Sequence, residues 1–426
     1  MSEWKKCHLG ELITDIAAGP FGSNLKISCF VPSGFPIIDG ANLKGFKVTD
    51  NITKFVTEEK ARSLARSIAK RNDVIVTISG TLGQIAYIPE ESEYEEYLCS
   101  QRQFRATFDQ SQVDVPFLVY YFHSHEGQQK ILVYANQVGV PALYQPLKNF
   151  RLIEIPLPPL PTQRKIAAVL GALDDKIENN RKICANLEAQ AQAIFKSWFV
   201  DFEPFGGKMP QGWKMGKLGD VADITMGQSP DGKSLNDVGD GITFFQGRAE
   251  FGNRYPTKRL STTEPKRMAK EGDVLLSVRA PVGDLNIALE NCCIGRGLAA
   301  IRAKTECADQ DVARPPRPCG KGEGALATSR RCQSFIYCLL RSMKPQFDLY
   351  EGAGTIFGSI NKDSLHGLSC LVPDEKALQE FEGVVSSFDS LYRERELESR
   401  SLAALRDALL PKLMSGEIDV EKVEVA

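Results

Sequence analysis

The chain contains two copies of one pattern, and this internal repeat is the feature that most limits its fold. Trp4 and Trp213 open the two copies, and the segment 70–75 recurs at 270–275. Other matched pairs are Leu9 with Leu218, Gly83 with Gly283, Val169 with Val384 and Leu187 with Leu402. A repeat of about 200 residues is far longer than the periods of solenoids or propellers. Each copy is therefore expected to be a whole domain that carries its own helix.

Runs of apolar residues with the length of β-strands lie inside each copy. They follow Asn-Asp and Gly-Asp turns at 74–79 and 274–278, and short helical segments begin at Phe117 and Phe335. We predict two similar α+β domains, each with a curled, mainly antiparallel sheet and short helices. Two long antiparallel coiled-coil helices separate them, and the whole chain forms a pseudo-two-fold repeat.

The boundaries of these parts follow from proline-rich stretches and from the helical pattern. The first domain is expected at 1–157 and the first long helix at 158–203. The second domain is expected at 204–374, and the second long helix with its tail at 375–426.

One segment departs from the repeat. Residues 304–332 have no counterpart of similar length in the first copy, and they are rich in Gly, Pro and Arg. Such a composition cannot bury much apolar surface, so we interpret the segment as a disordered insertion. The alternative is a local error of reading frame, because the repeat is intact on both sides; it would put the second domain's function in doubt.

Both long helical segments repeat at alternating spacings of four and three, which is the a/d pattern of a coiled coil. The a/d positions of the first segment are apolar except Asn180, whereas the middle of the second is polar, with Arg395, Ser399 and Arg406. Each segment runs for about 38 residues, on the order of 55 Å. An apolar stripe of this length must be buried, and we expect the two helices to pack antiparallel on each other. The alternative is that each helix lies on its own domain. The residues expected at the interface are Ile166, Leu170, Leu173, Ile177, Leu187, Ile194, Trp198, Phe381, Val385, Phe388, Leu402 and Leu409.

The bulk composition is that of an ordinary soluble protein. The formal net charge is −2, although residues 205–304 carry 15 Lys and Arg against 11 Asp and Glu. Such a local surplus fits a phosphate backbone or a solvated face equally well. We find no apolar run that would cross a bilayer and no signal-peptide pattern, so a cytoplasmic protein is expected. The 11 cysteines include no Cys-x-x-Cys pair, so we expect reduced thiols and no metal site.

The segment Gly227–Ser234 matches the phosphate-loop expression G-x-x-x-x-G-K-S. A true phosphate loop needs a buried strand before it and a helix directly after it. The following residues, 235–241, contain two glycines and favour a loop, so a fortuitous match is the better interpretation. An ATP-dependent enzyme that uses this segment remains one alternative, and a coiled-coil scaffold that does not bind DNA is another. We find no motif of a methyltransferase, a hydrolase or a nuclease in the sequence.

Four segments together resemble the DNA-specificity subunit of type I restriction–modification enzymes. These are Leu-Pro-Pro-Leu-Pro-Thr-Gln-Arg-Lys-Ile-Ala at 157–167, Leu-Asp-Asp-Lys-Ile-Glu-Asn-Asn at 173–180, the stretch 193–204, and Leu-Leu-Pro-Lys-Leu-Met-Ser-Gly-Glu-Ile at 409–418. The resemblance spans nearly the whole chain, and even the phosphate-loop match is similar to a Gly-Gln-Ser-Pro turn of that family.

This resemblance implies a non-catalytic recognition subunit. Each domain would be a target-recognition domain that reads one half of a split site in double-stranded DNA. The helices would bind two modification subunits, which methylate adenine and hold S-adenosylmethionine, and restriction subunits would add ATP- and Mg-dependent translocation and cleavage. The chain itself would hold no cofactor.

Reading DNA needs Arg, Asn, Gln, Ser or Thr at base edges and Lys or Arg at phosphates. Loops with these residues occur at comparable places in both copies. Arg102 and Arg296 repeat between the copies, so they are expected to be architectural or to contact phosphates, since the two half-sites differ. The candidate DNA-binding residues are Ser23, Asn24, Lys26, Asn42, Lys44, Ser79, Thr81, Gln101, Arg102, Gln103, Gln228, Ser229, Gln246, Arg248, Arg279 and Arg296.

Overall fold

The structure is a computed structural model, and it describes residues 4–136, 139–307, 330–350 and 358–422. Most of the atypical segment 304–332 lies outside the described residues, so the two interpretations of that segment stay open.

The described chain divides into two compact units. One unit comprises Met1–Asn180 with Leu397–Ala426, and the other comprises Arg181–Glu396. Both division points fall inside the long helices α6 (Leu160–Phe199) and α11 (Glu375–Met414). Each unit therefore holds one globular domain and one part of each long helix.

The first domain contains two large sheets and two two-stranded ones. Its strands are β1 (Lys5–His8), β2 (Ile13–Ala18), β3 (Phe30–Val31), β4 (Phe35–Ile38), β5 (Phe55–Val56), β6 (Ile68–Lys70), β7 (Val74–Thr77), β8 (Ile85–Tyr87), β9 (Glu96–Cys99), β10 (Gln103–Phe108), β11 (Ala135–Asn136), β12 (Ala142–Leu143) and β13 (Glu154–Leu157). One large sheet has the order β2-β10-β7-β8 and is antiparallel throughout. The other has the order β3-β5-β4-β9-β6, in which β4 and β9 run parallel. The short helices are α1 (Leu9–Leu12), α2 (Glu58–Ser63), α3 (Val115–His123), α4 (His125–Leu132) and α5 (Pro146–Leu152).

The second domain repeats this topology. Its strands are β14 (Lys214–Lys217), β15 (Ala222–Met226), β16 (Leu235–Asn236), β17 (Ile242–Phe245), β18 (Leu260–Thr262), β19 (Met268–Ala269), β20 (Val274–Ser277), β21 (Leu285–Ile287), β22 (Cys292–Ile294), β23 (Leu298–Ala303), β24 (Glu306–Cys307), β25 (Arg330–Arg331) and β26 (Ser369–Val372). The sheet orders are β15-β23-β20-β21 and β16-β18-β17-β22-β19, and β17 and β22 again run parallel. The short helices are α7 (Leu218–Val221), α8 (Gln333–Ser342), α9 (Lys344–Asp348) and α10 (Lys362–His366). The predicted internal repeat and α+β class are confirmed.

The strands β7 and β20 are apolar without alternation because both of their faces are buried. Val74 and Val76 face one core of the first domain, whereas Ile75 faces a second core. In the second domain Leu276 and Leu275 divide in the same way. A strand buried on both faces reads as a continuous apolar run, which is the pattern that the sequence shows.

In the first unit, parts of both long helices share one core with the globular domain. Ile166 and Leu170 of α6 and Leu410 and Leu413 of α11 are buried in the same cluster as Phe117 of α3. The helices run antiparallel here, since Asp174 of α6 pairs with Arg406, while Asn180 lies against Glu398.

The second unit is arranged in the same way around aromatic rings. Phe199 of α6 lies 5.2 Å from Phe381 of α11 and 5.0 Å from Phe335 of α8, measured between ring centres. Trp213, at the start of the domain, stacks on Phe199 at 5.6 Å. The two alternatives for the helices were packing on each other and packing on a globular domain. The structure combines them, because each helix contacts both the other helix and a globular domain.

Candidate nucleic-acid interface

The candidate loops of the first domain open at one end of its sheets. In the antiparallel sheet Phe104 pairs with Ala18, and Gln103 pairs with Thr77. The loop after β2, the turn before β10 and the loop after β7 therefore lie at the same end. The parallel pair β4 and β9 ends there too, so the loop after β4 joins the same group.

Hydrogen bonds hold these loops together. Gln101 Nε2 donates to the carbonyl of Leu25 at 2.6 Å, and the amide of Ile78 donates to the carbonyl of Arg102 at 2.6 Å. The amide of Gly80 donates to the carbonyl of Pro141 at 2.9 Å, which adds the 139–143 segment. The polar side chains on this surface are exposed, except Ser79, which is half-buried. They are Ser23, Asn24, Lys26, Lys44, Ser79, Thr81, Gln101 and Arg102.

Two of the predicted residues are not on this surface, and the expectation for them is corrected. Asn42 is buried, and its Nδ2 donates to the carbonyls of Thr49 and Asn51 at 3.1 and 3.2 Å. Gln103 is also buried, at 1% exposure, and its side chain is bonded to Ser100. Both side chains form hydrogen bonds inside the protein, so their role is to stabilise the loops.

In the second domain, equivalent strand pairings bring the equivalent loops to one end of the sheets. Met226 pairs with Ala299, Ser277 pairs with Leu298, and β17 ends beside β22. The loop after β15, the turn before β23, the loop after β20 and the loop after β17 therefore share one end. Gln228, Gln246, Arg248, Arg279 and Arg296 are exposed there, and Ser229 is half-buried.

The exposed arginines of this surface differ in their neighbours. Arg248 forms an ion pair with Asp284, so its charge is already compensated. Within the described ranges Arg279 and Arg296 form no ion pair. A guanidinium that is exposed and lacks a carboxylate partner is suited to an external anion such as a DNA phosphate.

The first surface also has an apolar part, which is absent from the predicted residues. Phe21 and Ile27 lie on the loop after β2 with exposed fractions of 84% and 85%, and Tyr144 is 65% exposed. A large apolar residue between glycines, as in Gly19-Pro-Phe-Gly22, is the signal that was available.

The residues predicted at the helix interface pack against other residues of the same chain. Ile166, Leu170, Ile177, Phe381 and Val385 are buried. Leu173, Leu187, Ile194, Trp198, Phe388, Leu402 and Leu409 are half-buried. Such side chains stabilise the helix packing, and they leave other helix residues to face a partner.

A matched pair of aspartates attaches each domain to the helices. In the first unit Tyr120 Oη of α3 donates to Asp174 at 2.6 Å, and Arg406 of α11 bonds the same carboxylate at 2.6 Å. Burial, together with the Asp174 carboxylate, raises the pKa of Tyr120. In the second unit Ser334 Oγ of α8 donates to Asp389 at 2.6 Å, and Arg254 pairs with it.

The phosphate-loop match lacks the structure that the chemistry needs. The strand β15 precedes it, but Gly232–Ser234 forms a single 3-10 turn, and strand β16 follows directly. The amide of Lys233 donates to Asp231 at 2.9 Å. No helix N-terminus therefore follows the match to hold phosphates within this described segment.

The cysteines depart from expectation at one place. Eight of the described cysteines are free. Cys332, by contrast, is disulfide-bonded, so the expectation of reduced thiols throughout was wrong there. No helix in the described part of the chain is both long and apolar enough for a membrane crossing.

Comparison with known proteins places the chain in a family. It matches the type I restriction modification DNA specificity domain over residues 1–189 and 210–313. It is 30% identical over 316 residues to a protein assigned as the type I restriction enzyme MjaX specificity subunit of Methanocaldococcus jannaschii, covering 72% of this chain and 69% of that protein. It is 24% identical over 395 residues to the MjaIX specificity subunit of the same organism, covering 86% and 82%.

A solved structure shares the fold. The crystal structure of a type I restriction–modification system S subunit from M. genitalium aligns with a TM-score of 0.62, at 16% identity and with 96% of each chain covered. The chain belongs to the type I restriction modification DNA specificity family. Its class is that of the specificity subunits of type I restriction–modification systems, as the resemblance implied.

Proposed function

We propose that the chain reads a bipartite sequence in double-stranded DNA, with one half-site for each globular domain. One observation carries the proposal: the matched sheet ends of the two domains collect matched loops, and an exposed arginine, Arg102 or Arg296, stands at the same turn in both. Exposed Asn, Gln, Ser and Thr side chains beside a cation are the groups that DNA recognition uses.

Within each surface, residues that repeat between the two copies and residues that differ suit different parts of the DNA. Arg102 and Arg296 occupy the same turn, so they suit the phosphates, which are alike in both half-sites. The loops after β2 and β15 differ in sequence, so they suit the bases, which differ. Phosphate contacts set affinity and its salt dependence, whereas base contacts set the sequence.

The chemistry belongs, in this proposal, to partner subunits. Two modification subunits would hold S-adenosylmethionine and methylate adenine, and restriction subunits would use ATP and Mg to translocate and cleave DNA. The chain would bind none of these cofactors and would catalyse no step. Support comes from the family and from the structure at Gly227–Ser234, where the 3-10 turn and the following strand replace the helix of a nucleotide site.

Exposed apolar residues of α11 are the surface that suits partner docking. In the first unit Leu397 and Leu405 are 37% and 48% exposed, and they are eight residues apart, which places them on one face of the helix. In the second unit Val384 and Leu391 are 42% and 37% exposed with a spacing of seven. Leu405→Glu should abolish co-purification with a modification subunit without lowering the melting temperature of the isolated chain. A lower melting temperature would mean that Leu405 is structural.

The direct test is to express the chain with its modification subunit and to map the methylated adenines by sequencing. A split site with two specified halves is expected. Arg102→Ala should weaken DNA binding by the complex at every site, and it should reduce the slope of log affinity against log salt by about one. Lys6→Ala is the control, because Lys6 lies on β1, before α1 and β2, away from the candidate end. Unchanged binding of the Arg102→Ala complex would overturn the proposed surface.

Domain exchange tests the division into half-sites. Residues 20–150 would be replaced with those of another family member, and the methylated sites would be mapped again. One half of the site should change and the other should stay. A change in both halves would show that the domains read DNA jointly.

A further inference from the structure

The loop after β2 presents an apolar side chain on the first candidate surface. Phe21 is 84% exposed, and the polar residues Ser23, Asn24 and Lys26 of the same loop are exposed beside it. An apolar ring that is left in water at a site rimmed by polar groups is typical of a binding surface. The neighbouring cations Lys26 and Arg102 match a polyanionic partner.

The loop is built to hold this ring outward. The amide of Asn24 donates to the carbonyl of Phe21 at 2.8 Å, which closes a tight turn. Leu25 is buried at 3% exposure and anchors the loop, while Gln101 bonds its carbonyl. Gly19 is held against Ser100, where a Cβ would lie 1.8 Å from the carbonyl oxygen. The position of Phe21 therefore follows from a fixed backbone.

The second domain enters the equivalent loop in the same way, although its loop is shorter: the next strand begins 8 residues after Gly227, against 11 residues after Gly19. Gly227 takes the place of Gly19, with its amide bonded to the carbonyl of Leu298 at 2.9 Å and a Cβ position 2.1 Å from the carbonyl oxygen of Gly295. Two residues further on, the second domain has Ser229 where the first has Phe21. Because the two loops begin with the same backbone contacts, the difference between the Phe21 ring and the Ser229 hydroxyl is a difference in the group that each side chain can contact on DNA.

We propose that Phe21 contacts the C5-methyl group of a thymine in the major groove of the first half-site, and that this contact sets the preference at that base pair. The inference rests on the proposed function. In the major groove only thymine offers a methyl group among the four bases, and apolar side chains recognise it. In this proposal Asn24 and Ser23, which are exposed on the same loop, form hydrogen bonds with neighbouring base edges.

The experiment uses the complex of the full chain with its modification subunit. The methylated sites of the wild type, Phe21→Ser, Phe21→Leu and Leu152→Ser are mapped. Phe21→Ser should lose the preference for thymine at one position of one half-site, and Phe21→Leu should keep it. Leu152→Ser is the control, since Leu152 is 55% exposed but its carbonyl lies 3.0 Å from His8 Nδ1, near the start of β2 rather than its end.

A second measurement addresses the methyl group itself. Duplexes in which deoxyuridine replaces that thymine lack only the methyl group, and their affinity for the wild-type complex should fall about fourfold. The Phe21→Ser complex should bind both duplexes equally. An unchanged site for Phe21→Ser, or equal binding of both duplexes by the wild type, overturns this inference. If the wild type itself methylates no split site, the proposed function fails instead. Insertion of the ring between base pairs would appear as a loss of DNA bending in Phe21→Ser with no effect of deoxyuridine, and it would also contradict the methyl contact.

Discussion

Asn180 Nδ2 donates a hydrogen bond to Glu398 Oε2 at 2.9 Å, which joins α6 to α11 at the edge of the first unit. Asn180 is fully buried, and Lys176 lies 3.7 Å from the other oxygen of Glu398. A buried Asn between two helices favours one register, because other registers would leave its Nδ2 group without this acceptor.

Asn180→Asp should lower the free energy of unfolding by about 2–4 kcal/mol at pH 8, because it places a second carboxylate beside Glu398. The loss should shrink at pH 4, where the carboxylates take up protons. Asn180→Leu removes the hydrogen bond without adding charge and should change stability by less than about 1 kcal/mol. Urea unfolding of both variants gives the comparison. Equal losses would mean that the hydrogen bond matters more than the charge.

Arg254→Met should lower the free energy of unfolding by about 3–5 kcal/mol, because it leaves Asp389 without its buried cation. The Arg254 side chain is only 3% exposed, and its guanidinium lies 4.2 Å from the ring centre of Tyr337. A double variant that also carries Asp389→Leu should recover a large part of the loss. Arg393→Met is the control, since Arg393 and its partner Glu271 are both 40% exposed, and it should cost less than about 1 kcal/mol.

The contribution of Glu382 to stability should fall as the pH rises from about 4.5 to about 7, because burial raises the pKa of Glu382 to about 7. Between these values the unfolded chain loses this proton and the folded chain keeps it, so unfolding is favoured. Ser334 Oγ lies 2.9 Å from Glu382 and 2.6 Å from Asp389, and its one proton serves only one of them. Glu382→Gln should remove this part of the pH dependence and should raise stability by about 2–3 kcal/mol at pH 8. Urea unfolding at pH 5 to 8 tests it, and an unchanged slope would show that Glu382 is ionised throughout.

Val420→Ala should lower the free energy of unfolding by about 1–2 kcal/mol, although the residue lies beyond the end of α11. Val420 is 3% exposed and packs in the core of the first domain, and a Cβ added at Gly416 would lie 3.2 Å from the ring of Trp4. Val133→Ala is the matched control, because Val133 is 73% exposed in the same unit. Thermal unfolding followed by circular dichroism distinguishes them. Equal effects would mean that the tail does not stabilise the domain.

One heptad inserted after Asn180 and another after Glu396 should lengthen the unspecified spacer of the DNA site by roughly three base pairs. Both points are division points between the compact units, so the packing inside each unit is kept. Seven residues add about 10 Å to a helix, and base pairs rise by about 3.4 Å. Mapping of methylated adenines gives the spacer. An unaltered spacer with full methylation would show that the helices do not set it.

Much of the architecture was predictable from the sequence, because it depends on local patterns. The a/d spacing predicted two long helices of about 38 residues, and α6 and α11 each have 40. The repeat predicted two domains of one topology. The Asn-Asp and Gly-Asp turns predicted where β7 and β20 begin, since a turn and an apolar run are both encoded by neighbouring residues.

What depended on distant contacts was decided only by the tertiary structure. The sequence placed Asn42 and Gln103 among surface residues, but the fold buries both, with Asn42 bonded to the carbonyl of Thr49 and Gln103, at the start of β10, bonded to Ser100. It offered two alternatives for the helices, and the structure combines them, because Ile166 meets α11 and α3 in one core. The polar character of a side chain is written in the sequence, whereas its exposure depends on which backbone groups the fold brings beside it.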